Sequence, residues 1–116
     1  MPESVTQPAP QGAAARRSQR VFLSVPVDVV WTSGAGLRVR ESGQTEVVSQ
    51  HGALVKMDSS LPVQMRVEIF RPSTGRTSGA RVVTSQPNPD GFVRVAMELA
   101  TPTADFWGVG FPGAKP

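Results

Sequence analysis

The chain has no cysteine, no tyrosine and one histidine in 116 residues, and each shortage removes a class of chemistry. Without thiols there is neither a disulfide framework nor a thiolate metal site, which sets the sequence apart from small secreted scaffolds. His51 and nine scattered acidic residues offer no His-x-His or H-E-x-x-H spacing to seat a metal. Ser49 stands two positions before His51, but no orienting acid accompanies the pair, so no nucleophilic triad is assembled. The glycines of TSGAGLRVRESG follow no phosphate-loop frame. An enzyme is therefore not expected, nor a metal or cofactor. No apolar run nears the ~18 residues of a membrane span. Arg16-Arg17 ahead of Val21, Phe22 and Leu23 has the outline of a twin-arginine export signal. However, Pro26 and Asp28 break the apolar stretch and no small-residue cleavage site follows it. The expected location is the cytoplasm, with no membrane partner.

What is present is strand. The 11 Gly and 11 Pro fall mostly between apolar runs rather than inside them, the punctuation of an all-β chain. Val21, Leu23, Val25, Val27 and Val29 hold every second position, the period of a half-buried strand. Pro26 donates no amide hydrogen, so a bend is expected there. TSGAG (32–36) and ESGQ (41–44) read as turns around a short LRVR strand, leading to TEVVS. GALVKM follows as a strand, DSSLP closes it as a turn, and the alternation of Val63, Met65, Val67 and Ile69 is the cleanest strand in the chain. RPSTGRTSG reads as a connection, ARVVTS as a short strand, and QPNPDG as a turn before Val93, Val95, Met97 and Leu99.

Short strands at even spacing predict a small six-stranded antiparallel β-barrel, because closure removes exposed edges. Residues 1–15 carry almost no bulky apolar side chain and read as a flexible tail; the domain is expected over 16–111, with 112–116 as a C-terminal tail. Thr101-Pro102 opens a short C-terminal helical turn over TPTADFW. Phe106, Trp107, Val109 and Phe111 are expected to pack as a lid over an open barrel end.

The basic residues are mostly arginine, the net charge is +3 and the isoelectric point is near 10.6. Arg16, Arg17 and Arg20 cluster where the tail meets the first strand. A guanidinium offers a planar fork that fits two phosphate oxygens or the O6 and N7 edge of guanine, and its face stacks on a base. Converging forks therefore suit a guanine nucleotide or a polyphosphate. Between two later strands, VVSQHGAL places a hydroxyl at Ser49 and, at Gly52, a residue that permits close backbone approach or a positive φ. Of Arg38, Arg40, Arg66, Arg71, Arg76, Arg81 and Arg94, most are expected on solvated strand faces and a few to lend positive potential to a ligand groove, with no motif to choose among them.

RRSQR before the first strand and S-x-x-G before a later one, on this strand pattern, resemble the PilZ family, whose paired motifs are R-x-x-x-R and [D/N]-x-S-x-x-G. The resemblance covers residues 15–111, including the V-x-L-x-V-P-V-x-V strand and the DFWGVGF segment. It implies a split-barrel receptor for the bacterial second messenger cyclic di-GMP, with no catalytic role. Arg16 and Arg20 would be the motif arginines over guanine bases and phosphates, with Arg17 as an auxiliary clamp. Ser49 and Gly52 would be the motif serine and glycine, and His51 fills a free motif position beside the ligand. Val47 stands where the motif has Asp or Asn, so that carboxylate or amide is missing; Glu46 would replace it only if a bulge rotated it inward. The alternative is a degenerate module acting through contacts with a protein effector in trans. A nucleic-acid polymer is not the expected partner, because aromatics make up only 6% of the chain and a stacking platform is thin.

Overall fold

Period-two valines and methionines build the architecture. The computed structural model describes residues 20–101 and 106–108, and among these it forms seven strands and no helix. They are β1 (Val21–Phe22), β2 (Pro26–Thr32), β3 (Arg38–Ser49), β4 (Gly52–Met57), β5 (Arg66–Arg71), β6 (Arg76–Pro87) and β7 (Val93–Leu99). Six close into an antiparallel barrel in the order β2-β5-β6-β7-β4-β3, with β3 returning to β2; β1 lies outside, paired to the far end of β3. The expected six-stranded barrel is present with one additional strand. The tails at 1–15 and 112–116, Arg16, Arg17, Val109, Phe111 and positions 102–105 of the C-terminal turn lie outside the described residues.

Inward positions follow the alternation. Val27 and Val29, Val55 and Met57, Val67 and Ile69, and Val93, Val95, Met97 and Leu99 are all buried in one core. Phe106 and Trp107 join it edge to face, 4.8 Å between ring centroids, at 2% and 1% exposure. They cover a barrel end as the sequence suggests. Arg71 fixes that cover: its buried Nη1 donates to the Phe106 carbonyl at 2.9 Å.

Four local expectations are corrected. The first strand is not continuous through 29: it breaks over 23–25, just before Pro26, where the Thr45 hydroxyl replaces ladder bonds. ESGQ is not a turn but the middle of the 12-residue β3. Gly43 marks where β3 presses against β4, since a Cβ there would lie 2.9 Å from the Lys56 carbonyl oxygen. Glu41 and Ser42 are polar because they accept from the Asp58 and Ser59 amides and bond Asp28, respectively. The strand over 63–70 begins only at Arg66, because Gln64 takes a positive φ of 77° and Met65 donates to the Pro62 carbonyl in a turn. Finally, β6 starts at Arg76 rather than Ala80, leaving a tight turn whose Gly75 has a φ of 75°. Phe70, which breaks the polar face of β5, lies under the Arg40 guanidinium at 4.9 Å.

Candidate functional site

The outside strand assembles the site. Val21 pairs with Val48 and Phe22 with Val47, so Arg20, one step earlier, comes level with Ser49 at the end of β3. The turn after Ser49 is short: Ser49 pairs with Gly52, and the Ser49 Oγ accepts from the His51 amide at 3.1 Å. Arg20, Val47, Ser49, His51 and Gly52 thereby line one groove of about 440 Å³ on the outer barrel face, together with Leu54, Arg81, Val83, Ala96 and Glu98. That volume falls within the roughly 300–1,000 Å³ of small-molecule sites. Arg20 has no partner among the described residues, whereas most of the other arginines are engaged.

The groove floor is apolar by construction. Outward positions of β4 and β7 supply Leu54 and Ala96, and a bulge between Val82 and Thr84 on β6 turns Val83 out to 40% exposure. Two cations, Arg20 and Arg81, and one carboxylate, Glu98, stand around it. Arg81 and Glu98 form an ion pair across β6 and β7, and Arg81 Nη1 donates to Gln64 Oε1 at 2.6 Å.

Gly52 has a different reason for being glycine from the one its spacing suggests. Its φ is not positive; a Cβ there would lie 2.0 Å from the Met97 carbonyl oxygen, so the closing strand β7 excludes any side chain. The lid is tied to the same turn, for Trp107 Nε1 donates to the Ser49 carbonyl at 2.9 Å.

A bulge does fall on Glu46: Thr45 opposes Val55 and Val47 opposes Leu54, leaving Glu46 unpaired. Its carboxylate is nevertheless directed away from the groove, where Arg94 Nε and Nη2 donate to its two oxygens at 3.0 and 2.9 Å. Arg94 also meets Asp90 at 2.7 Å. The hydrogen bond to Glu46, then that to Asp90, raises the Arg94 pKa; the Phe92 amide, then Arg94, lowers that of Asp90. Among the remaining arginines, Arg38 pairs with Glu68 and Arg40 with Asp28.

Sequence reasoning missed Glu98, Leu54 and Ala96, and left Arg81 undistinguished among the arginines. All stand on the outward phase of recognisable strands, and only the closure of β4 onto β7 gathers them. Among the described residues, no three His, Asp or Glu side chains converge as a metal-holding group. No family model, curated protein or solved structure matches this chain.

Proposed function

We propose that the protein is a non-catalytic cytoplasmic receptor for cyclic di-GMP, of the PilZ type, which binds in the groove beside Ser49 and passes the signal to a protein effector in trans. One observation carries the reading: the register of β1 on β3 brings Arg20, whose guanidinium has no partner among the described residues, level with the serine and glycine that the sequence motif pairs with it. The chemistry suits the ligand. Leu54, Val83 and Ala96 offer an apolar surface to the face of a purine, Arg20 can stack on a base or fork onto phosphate oxygens, and His51 borders the site. Arg16 and Arg17, which the motif assigns as further cations, stand four and three positions before Arg20 in the sequence and lie outside the described residues.

Val47 weakens this site relative to the family motif. A side chain unable to accept from guanine N1–H and N2–H forgoes a contact worth ~1–3 kcal/mol. A second reading, a degenerate module docking a protein, is favoured by Phe22, which is 89% exposed on the outside strand and borders an adjoining groove that shares Val47 and Leu54 with the first and adds Leu23 and Lys56. Amide chemical-shift mapping with cyclic di-GMP separates the two. The receptor reading expects shifts at Arg20, His51, Val83 and Ala96, which line only the first of the two grooves; shifts absent there, or confined to the Phe22 groove, overturn it.

A further inference from the structure

A further groove, of about 740 Å³, adjoins the ligand groove on the side away from Ser49. It shares His51, Arg81 and Glu98 with that site and adds Trp31 and Arg66 among its walls. Strand register lays the two out in one row around the barrel: Ser49 pairs with Gly52, Gly52 with Glu98, Glu98 with Arg81 and Arg81 with Arg66. Four strand steps of ~4.8 Å put the ends of that row ~19 Å apart along the surface.

Arg66 is the anomaly in the row. Residues directly opposite on neighbouring strands share a face, and like charges so placed are destabilising. Arg81 is engaged by Gln64 and Glu98. The Arg66 guanidinium is exposed and makes no hydrogen bond or ion pair among the described residues. The third arginine of this groove, Arg38, is held by Glu68 at 2.7 Å. Each groove thus has one guanidinium without a partner among the described residues, Arg20 level with Ser49 and Arg66 at the opposite end of the row. His51 lines both grooves, and its buried Nδ1 has no hydrogen-bond partner, so no bond on that nitrogen fixes the ring.

We infer that a single cyclic di-GMP molecule lies across both grooves in an extended form, one guanine beside Arg20 and the other held by Arg66; this rests on the receptor reading above. The ligand is two identical guanosine phosphate halves closed into a ring, and in its extended form the two bases point in opposite directions. Two adjoining grooves, each with one guanidinium left to engage, match that symmetry. The Arg66 fork fits the O6 and N7 edge of the second guanine, and Trp31 gives that base an aromatic wall. A molecule lying across the boundary between the grooves brings its ribose hydroxyls past His51. Rotation of the imidazole then offers the orphan Nδ1 a donor, which accounts for a buried polar atom that the protein alone leaves unsatisfied.

The test is calorimetric titration of the full chain with cyclic di-GMP in the wild type, Arg66→Gln, Arg40→Gln and Arg20→Ala. The wild type is expected to bind one molecule per chain. Arg66→Gln weakens binding about tenfold, the worth of a charge-assisted hydrogen bond. Its melting temperature holds or rises, because the substitution removes a repulsion with Arg81; misfolding cannot account for that combination. Arg40→Gln makes the same change of charge at a residue that lines neither groove and keeps the wild-type affinity. Equal weakening in the two glutamine variants would reduce Arg66 to a source of general positive potential and overturn the contact. Two molecules per chain would overturn the single extended ligand. Wild-type affinity in Arg66→Gln, with binding lost in Arg20→Ala, overturns the role of the further groove and leaves the receptor reading standing. If the wild type binds no cyclic di-GMP, both readings fall.

Discussion

Val21 lies opposite Val48, and this single pairing sets Arg20 level with Ser49. It is possible only because the chain steps between β1 and β2 over residues 23–25, and Thr45 bridges the step. The Thr45 Oγ1 accepts from the Val25 amide at 2.8 Å and donates to the Leu23 carbonyl at 2.6 Å, with the threonine 1% exposed.

Thr45→Val keeps the shape and strands both backbone groups. It is expected to cost about 2–6 kcal/mol, toward the lower end because the Leu23 carbonyl is only partly buried, since each such group left without a partner costs ~1–3 kcal/mol. Thr45→Ser, which loses a methyl but retains the hydroxyl, should cost about 1 kcal/mol. Urea unfolding of the two variants provides the comparison; equal losses would show that the hydroxyl does not bridge the step.

Gly52→Ala forces a Cβ to within 2.0 Å of the Met97 carbonyl oxygen, a backbone atom that cannot swing aside. We expect a loss at the upper end of the ~1–3 kcal/mol typical of overpacking. Gly34→Ala, with open space around it and no positive φ, should be neutral or slightly stabilising. Thermal unfolding of both variants tests the contrast, and a mild effect at position 52 would contradict the close approach of β4 and β7.

Asp90 is predicted to titrate below the ordinary aspartate range, chiefly because the Phe92 amide donates to its carboxylate and secondly because Arg94 does. With the folded pKa depressed, its contribution to stability is present above the unfolded value of about 3.9 and is lost as pH falls through the lower folded value. Carbon-detected NMR titration should show this midpoint moving up in Arg94→Ala without reaching the ordinary value, because the amide bond survives. An unchanged midpoint would remove Arg94 from the cause.

On the proposed receptor reading, Val47→Asp supplies the acceptor that the R-x-x-x-R and S-x-x-G pattern would place there. Val47 borders the groove, so the substitution should tighten cyclic di-GMP binding by up to roughly a hundredfold. Calorimetric titration that shows no gain would argue that the ligand's base edge lies elsewhere.

The barrel was legible because Val27–Val29, Val55–Met57 and Val93–Leu99 keep strict period two, and burial of one face leaves little freedom in their register, since a one-residue slip would turn that face outward. Places where local and long-range forces compete were not. Gly43 looks like a turn residue, yet in β3 it answers the crowding of β4, which no nearby sequence records. The alternation from Val63 suggests a strand, but Gln64 is captured by Val82 and the strand yields to a turn. The site followed the same division. Arg20, Ser49 and Gly52 carry a spacing that can be read along the chain, whereas Glu98 and Arg81 enter through barrel closure alone.

The account turns on Arg20. Isothermal titration of the wild type and Arg20→Ala with cyclic di-GMP at near-physiological salt, with GTP as the control, tests it most directly. The account predicts saturable micromolar or tighter binding by the wild type, no response to GTP, and loss of binding in Arg20→Ala at an unchanged melting temperature. Absence of heat in the wild type, or equal affinity in the variant, would contradict it.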